Sequence, residues 1–246
     1  MHILEGEGVT KNFGGLSAVS DVNFHVDQGE VLGLIGPNGA GKTTLFNLIS
    51  AALVPKPGII KFKGQNITGL GAYKICRLGI ARTFQTVKIF AGLPVFNNVL
   101  IGALFGGSQK MTPAEAEKTT AELLEFVGLS NVSRTLAADL TLANQKRLEV
   151  ARALATKPEL LLLDELMAGL NQTEVSQTME LIKQIRGEGI TIIMIEHVMK
   201  AIMNVCDRII VLNHGKKIAE GTPQEIATSK KVIEVYLGEQ ANAGSK

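Results

Sequence analysis

An α/β fold built on a parallel sheet follows from three features of the 246-residue sequence. Near-continuous apolar runs recur along it: VLGLIG, ELLLLDE, TIIMIE and RIIVLN. Strands without polar alternation suit a sheet covered on both faces, as parallel sheets are. Between the runs lie segments with helical character: KTTLFNLISAAL, TPAEAEKTTAELLEFVGL, QKRLEVARALAT and QTEVSQTMELIKQIRGEG. Alternating strands and helices are the mark of an α/β chain. The third feature is a glycine-rich loop joining one apolar run to a helix, where such folds place their ligands.

Taken in order, the chain up to about Gly64 is rich in strand and turn signals, PKPGIIKFKGQNITG among them. The stretch from about Leu93 to Ala138 is mostly helical and reads as a helical subdomain inserted into the α/β core. The tail GEQANAGSK is small and polar and is expected to fray. No internal repeat is present. The length suits one large domain, or one domain with a subdomain.

Composition narrows the function. Twenty-five basic residues against 23 acidic give a net charge of +2, and Trp is absent. Neither a basic stripe nor a base-stacking platform is present, so nucleic acid is not an expected partner. No apolar run reaches the ~18 residues that cross a bilayer, and the N-terminus MHILEGEGVTKNF lacks the pattern of a signal peptide. The reading is a cytoplasmic chain that reaches a membrane only through a partner. Cys76 and Cys206 lack metal-ligand spacing and are expected to be buried small hydrophobes in a reducing compartment.

The loop is GPNGAGKTT, comprising Gly36, Pro37, Asn38, Gly39, Ala40, Gly41, Lys42, Thr43 and Thr44. It fits G-x-x-x-x-G-K-[ST] and sits after the strand VLGLI at the start of a helix, the context the motif requires. Glycines allow main-chain N–H groups to curl round phosphates, and the helix N-terminus adds positive potential. Lys42 is expected on the β- and γ-phosphates of a nucleotide and the Thr43 hydroxyl on Mg²⁺. Downstream, LLLLDE delivers Asp164 and Glu165 at the end of an apolar strand. Asp164 is assigned to Mg²⁺, directly or through water, and Glu165 to the attacking water as general base. TIIMIEH ends a later strand with Glu196 and His197. A single His is more often structural, but ligand crevices open at the ends of such strands, and His197 is read as lying near the γ-phosphate.

With these residues placed, the chain resembles the ABC-type ATPases over essentially its whole length. Phe13 in KNFGG matches the aromatic that stacks on adenine. Gln85 in ARTFQ matches the loop glutamine that senses Mg²⁺ and the transport partner. AGLN, from Ala168 to Asn171, matches the inter-subunit loop, and DRIIVLNHGKKIAEGTPQEI the C-terminal part. Within the family, FGGLSAVSDVNF, GIARTFQTVKIFAGLPVFNNVLIG, LEVARAL, AGLNQTE and EVYLGE are most similar to the ATPases of branched-chain amino acid importers. ATPases of urea and short-chain amide importers are very similar, and those of lipid or lipopolysaccharide exporters share the ending YLGE but match less well around RTFQ.

The resemblance implies a P-loop NTPase core with an N-terminal antiparallel β subdomain and an inserted α-helical subdomain. It implies one domain over 1–246, with 1–92 and 156–246 as core and β subdomain and 93–155 as the helical subdomain. It implies ATP and Mg²⁺, the metal held by Thr43, Gln85 and Asp164, with Glu165, His197 and Gln85 catalytic. It implies a second ATPase subunit arranged head to tail, transmembrane permease subunits reached through the loop from Gln85 to about Asn98, a solute-binding protein at one remove, and a peripheral place on the cytoplasmic face of the plasma membrane. A soluble ABC ATPase of translation or DNA repair usually carries two ATPase units or long coiled coils, which this chain lacks. A nucleotide-binding regulator with little turnover is the third reading, disfavoured by intact Glu165 and His197.

Two departures stand out. The family signature L-S-G-G-Q is here Leu140, Thr141, Leu142, Ala143 and Asn144. Ala143 replaces the glycine that lets main chain approach the γ-phosphate of the partner's nucleotide. A methyl group there is expected to weaken that contact by about 1 kcal/mol, as overpacking does elsewhere. Leu166 replaces the proline that usually follows the catalytic Glu, and its absence is expected to loosen Glu165.

Overall fold

The computed structural model describes residues 1–107 and 111–243, and side chains as far as 236. In chain order the elements are β1 (His2–Phe13), β2 (Leu16–Asp27), β3 (Val31–Ile35), α1 (Lys42–Ile49), β4 (Ile59–Phe62), β5 (Gln65–Asn66), α2 (Ala72–Leu78), β6 (Ile80–Arg82), α3 (Val95–Phe105) and α4 (Pro113–Phe126). Then come α5 (Leu142–Leu154), β7 (Leu160–Asp164), α6 (Gln172–Gly187), β8 (Thr191–Ile195), α7 (Met199–Val205), β9 (Arg208–Asn213), β10 (Lys216–Gly221), α8 (Pro223–Thr228) and α9 (Lys230–Ala243). Two compact units result, one of residues 1–71 and 191–246, the other of residues 72–190.

The first unit holds an antiparallel sheet in the order β2-β1-β4-β5. Gly6 in β1 leaves room that the Phe24 ring of β2 occupies: a Cβ there would lie 2.1 Å from Phe24 Cε1. The same unit holds β8, β3 and β9 side by side and parallel, with β10 antiparallel to β9. Every residue of β3 and of β8 is buried, as near-continuous apolarity requires. Arg208 at the start of β9 donates from Nε to Glu30 Oε1 at 2.7 Å, and from Nη2 to Glu30 Oε2 at 2.9 Å and the His25 carbonyl at 2.8 Å. This fork ties β9 to the start of β3.

The second unit is the helical one, with β6 and β7 paired in parallel. All five residues of β7 are buried. Helix α4 starts at a capping box in which Thr112 and Glu115 satisfy each other's backbone N–H groups. Asn171 and Glu174 do the same for α6. Leu124, Leu129, Leu148 and Ile182 are fully or almost fully buried and form much of its core.

Several expectations need correction. The helix of KTTLFNLISAAL stops at Ile49, because Ala51 turns to a φ of 56° and the Leu53 N–H bonds back to the Asn47 carbonyl at 2.9 Å. The helix of QKRLEVARALAT starts three residues earlier, at Leu142, so the signature opens it. Thr141 is the N-cap of α5, its hydroxyl accepting the Asn144 N–H at 3.4 Å, so Leu142, Ala143 and Asn144 form the first turn. Cys206 is buried, but Cys76 is only half-buried, its thiol donating to the Gly106 carbonyl at 3.3 Å; both are free thiols. Helix α9 carries the backbone of the expected frayed tail as far as Ala243, and Gly244–Lys246 lie outside the described residues.

Candidate functional site

The phosphate-loop half lies in the first unit. Buried β3 ends at Ile35, and the chain turns at once through Gly36, Gly39 and Gly41, at φ 147°, 78° and 103°. These are left-handed or glycine-only conformations. The packing is equally exclusive. A Cβ on Gly36 would lie 2.1 Å from the Leu212 carbonyl oxygen, and one on Gly41 would lie 2.3 Å from the Ala18 carbonyl oxygen. Both partners are backbone atoms that cannot swing aside. Gly41 is the N-cap of α1 and makes no side-chain cap bond, and the N-terminus of that helix adds positive potential to the loop.

Lys42 is only 6% exposed. Its ammonium donates to the Gly36 carbonyl at 2.6 Å and the Pro37 carbonyl at 2.9 Å, which clips the loop closed on itself. Pro37 and Ala40 are buried, Thr44 is half-buried, and Asn38, Gly39 and Thr43 face solvent. Phe13 ends β1 with its ring half exposed and Lys11 Nζ 5.6 Å from the ring centroid, a flat surface open to an aromatic base. His197 is exposed in the bend between β8 and α7.

The carboxylate half lies in the second unit. Strand β7 runs buried to Asp164, and the next residue, Glu165, sits at a φ of 51°. A side-chain-bearing residue enters that left-handed region at a cost of about 1 kcal/mol. The site holds it there. Lys146 Nζ donates to the Glu165 carbonyl at 2.8 Å, the Ala168 N–H to the same oxygen at 3.2 Å, and Gln85 Nε2 to Glu165 Oε2 at 2.9 Å. Leu166 is buried. The expectation that losing proline loosens Glu165 therefore gives way to a residue fixed from both its main chain and its carboxylate.

Three neighbours that the sequence reading did not single out organise this half. Arg82, at the end of β6, places Nη2 2.7 Å from Asp164 Oδ2, with both side chains almost wholly buried. Glu149 is 2% exposed and accepts the Lys88 N–H at 3.0 Å and the Phe84 N–H at 3.4 Å. Burial pushes its carboxyl above the ordinary range, and the two N–H bonds offset part of that. Lys146 is the third. Glu149 did leave a signal, since a glutamate amid the apolar residues of LEVARAL is out of place unless buried with partners.

The signature residues divide by exposure. Leu142 is 44% exposed, while Leu140 and Ala143 are buried against their own chain. The Ala143 methyl is thus spent on internal packing, and the bulk offered outward is Leu142. One Leu142 methyl would lie 3.0 Å from a Cβ on Gly169, so it rests on the AGLN loop, whose Gly169 has a φ of 78°.

Among the described residues, His2, His25 and Asp27 also gather three potential ligand atoms within 4.8 Å. They lie on the exposed end of β1 and β2, and the 2.8 Å bond from His2 to Asp27 accounts for the cluster.

Comparison with known proteins agrees with this geometry. The sequence model of the ABC transporter family matches residues 19–168, and that of the branched-chain amino acid ATP-binding cassette transporters matches 216–242. The chain is 41% identical over 250 residues to the high-affinity branched-chain amino acid transport ATP-binding protein BraF of Pseudomonas aeruginosa, covering 96% of this chain and 98% of BraF. The same figures hold for LivG of Escherichia coli K12. The lipopolysaccharide export ATP-binding protein LptB of Haemophilus influenzae is 34% identical over 98% of this chain and 99% of its own. A nucleotide-free ATP-binding cassette of an ABC transporter superposes with a TM-score of 0.87 at 30% identity, over 96% of this chain and 99% of that one. The dimeric cassette MJ0796 bound to ADP and Pi superposes with a TM-score of 0.81 at 25% identity, over 89% and 98%. With the phosphate loop, the Asp164–Glu165 strand end and these matches together, the chain belongs to the ATP-hydrolysing cassettes of the ABC transporter family.

Proposed function

We propose that this chain is the energy-coupling ATPase of an importer of branched-chain or other hydrophobic amino acids. The observation that carries the reading is the complete, self-clipped phosphate loop, in which Lys42 donates to the Gly36 and Pro37 carbonyls. Near-full-length identity of 41% to BraF and LivG supports the solute class over lipopolysaccharide export, where the likeness to LptB falls to 34%.

ATP is the substrate. Phe13 offers its exposed ring to the adenine. Lys42 exchanges its loop carbonyls for the β- and γ-phosphates, and the N-terminus of α1 adds its positive potential. Glu165 orients the attacking water and accepts its proton, while His197 stabilises the γ-phosphate. Mg²⁺ suits the donors Thr43, Gln85 and Asp164, all hard oxygens. When bound, it neutralises phosphate charge. Arg82 Nη2 holds the buried Asp164 carboxylate at 2.7 Å, which fixes its orientation at the strand end.

A working site takes two chains head to tail, each offering Thr141 to Asn144 to the other's nucleotide. ATP closes the pair and hydrolysis opens it. The loop from Gln85 to about Asn98 passes that movement to a permease on the cytoplasmic face of the plasma membrane. Among the described residues no helix is long and apolar enough to cross a membrane. If the second ATPase carries a full signature, this chain's nucleotide turns over normally and the partner's turns over slowly against Leu142.

The test is uptake of labelled leucine, isoleucine and valine in cells deleted for this chain. Restoration by the wild type and not by Lys42→Ala supports the reading. Restored uptake of urea or short-chain amides in its place would reassign the solute.

A further inference from the structure

The first turn of α5 is the signature, and the same helix reaches back into its own chain at two points. Lys146 and Glu149, three residues apart, share one face. Lys146 Nζ holds the Glu165 carbonyl at 2.8 Å. Glu149 holds the N–H groups of Phe84 and Lys88, which bracket Gln85. One turn on, Arg152 donates to the Lys88 carbonyl. Gln85 and Glu165 are themselves joined at 2.9 Å. The helix thus grips the main chain of Glu165 directly and that of Gln85 through its neighbours on either side.

A buried carboxylate of this kind needs a reason. Glu149 is 2% exposed, and desolvation of a charge is costly unless bonds replace the water. An alanine there would avoid that cost and suit the helix better. What the glutamate adds is two fixed N–H acceptors, one for the residue just before Gln85 and one for the third residue after it. A five-residue segment tied at both ends cannot move without α5.

We infer that Glu149 and Lys146 are positioning residues through which the signature helix sets the Gln85–Glu165 contact of its own chain. Whatever moves the N-terminus of α5, above all closure of the signature onto a second chain's nucleotide, moves this pair together. This rests on the proposed roles of Gln85 and Glu165.

The test uses the full chain carrying Glu149→Ala, Glu149→Gln, Lys146→Met or Lys146→Arg. Steady-state Mg-ATP turnover is measured beside amide exchange of residues 84–88 without nucleotide. Glu149→Ala should lower kcat at least tenfold with KM for ATP changed less than about twofold, and Glu149→Gln, keeping one acceptor, should fall between. Lys146→Arg should stay near wild type and Lys146→Met should not. Exchange at 84–88 should quicken tenfold or more while the rest of the chain keeps its protection. In the background of Gln85→Ala, Glu149→Ala should cost little more, because it acts through Gln85. Unchanged kcat in folded Glu149→Ala, full additivity with Gln85→Ala, or faster exchange throughout the chain would overturn the inference. The exchange measurement needs no turnover. If 84–88 loosens but the wild type shows no turnover sensitive to Glu165→Gln, the ATPase roles fail and the tether stands.

Discussion

Replacing Arg82 with methionine tests the buried ion pair at the end of β7. Asp164 and Arg82 meet at 2.7 Å with side chains 1% and 9% exposed. Methionine keeps most of the apolar stem but removes the guanidinium. Breaking a buried pair by removing one partner costs about 3–5 kcal/mol, because the remaining charge has lost its nearest compensation. Arg82 also lies 5.2 Å from the centre of the Phe84 ring, a stacking worth about 0.5–1 kcal/mol more. For a chain of this length each kcal/mol lowers Tm by about 2–4 °C, so the combined loss of about 3.5–6 kcal/mol should make Arg82→Met melt roughly 7–24 °C below wild type. The assay is scanning calorimetry at neutral pH. The decisive comparison adds Asp164→Asn to Arg82→Met. Removing the stranded charge should recover several degrees. A drop under about 2 °C, or a double variant melting no higher than the single, would refute the reasoning.

Other expectations follow from the same geometry. Gly41→Ala meets both a φ of 103° and a carbonyl 2.3 Å from its new methyl, so ATP binding measured by equilibrium dialysis should weaken at least tenfold. Leu142→Gly should raise turnover of the assembled transporter, whereas Ala143→Gly alone should not, because the Ala143 methyl is packed inward. If neither substitution alters turnover, the account of an asymmetric pair fails. Glu225 in the capping box of α8 has its pKa lowered from 4.5 first by the Thr222 N–H and then by the Thr222 hydroxyl. A depressed carboxyl stabilises the fold above its unfolded pKa and loses that contribution as pH falls through the folded one. The Tm gap between wild type and Glu225→Gln should therefore be constant above about pH 5 and close below it.

Much of this molecule was legible because its signals are local. The phosphate loop is contiguous, and its glycines are dictated by backbone geometry within nine residues. Apolar runs announced β3, β7, β8 and β9. Other features were hidden because they are long-range. The Arg82–Asp164 pair joins residues 82 positions apart, and the grip of Glu149 on Lys88 spans 61. Neither spacing has a pattern that a sequence displays. The helix of QKRLEVARALAT begins earlier than that segment, because Thr141 is a good N-cap and sets the helix start at Leu142. That shift turns Ala143 inward and leaves Leu142 as the outward departure. Loss of the proline after Glu165 suggests loss of rigidity, yet Lys146, from helix α5, holds the Glu165 carbonyl at 2.8 Å.

Turnover of Mg-ATP by the purified chain, measured as phosphate release for wild type and Glu165→Gln with ATP binding measured in parallel, tests the central claim most directly. The account predicts that both bind ATP and that the substitution cuts turnover at least a hundredfold. Equal turnover by the two proteins would contradict it and remove Glu165 from the chemistry.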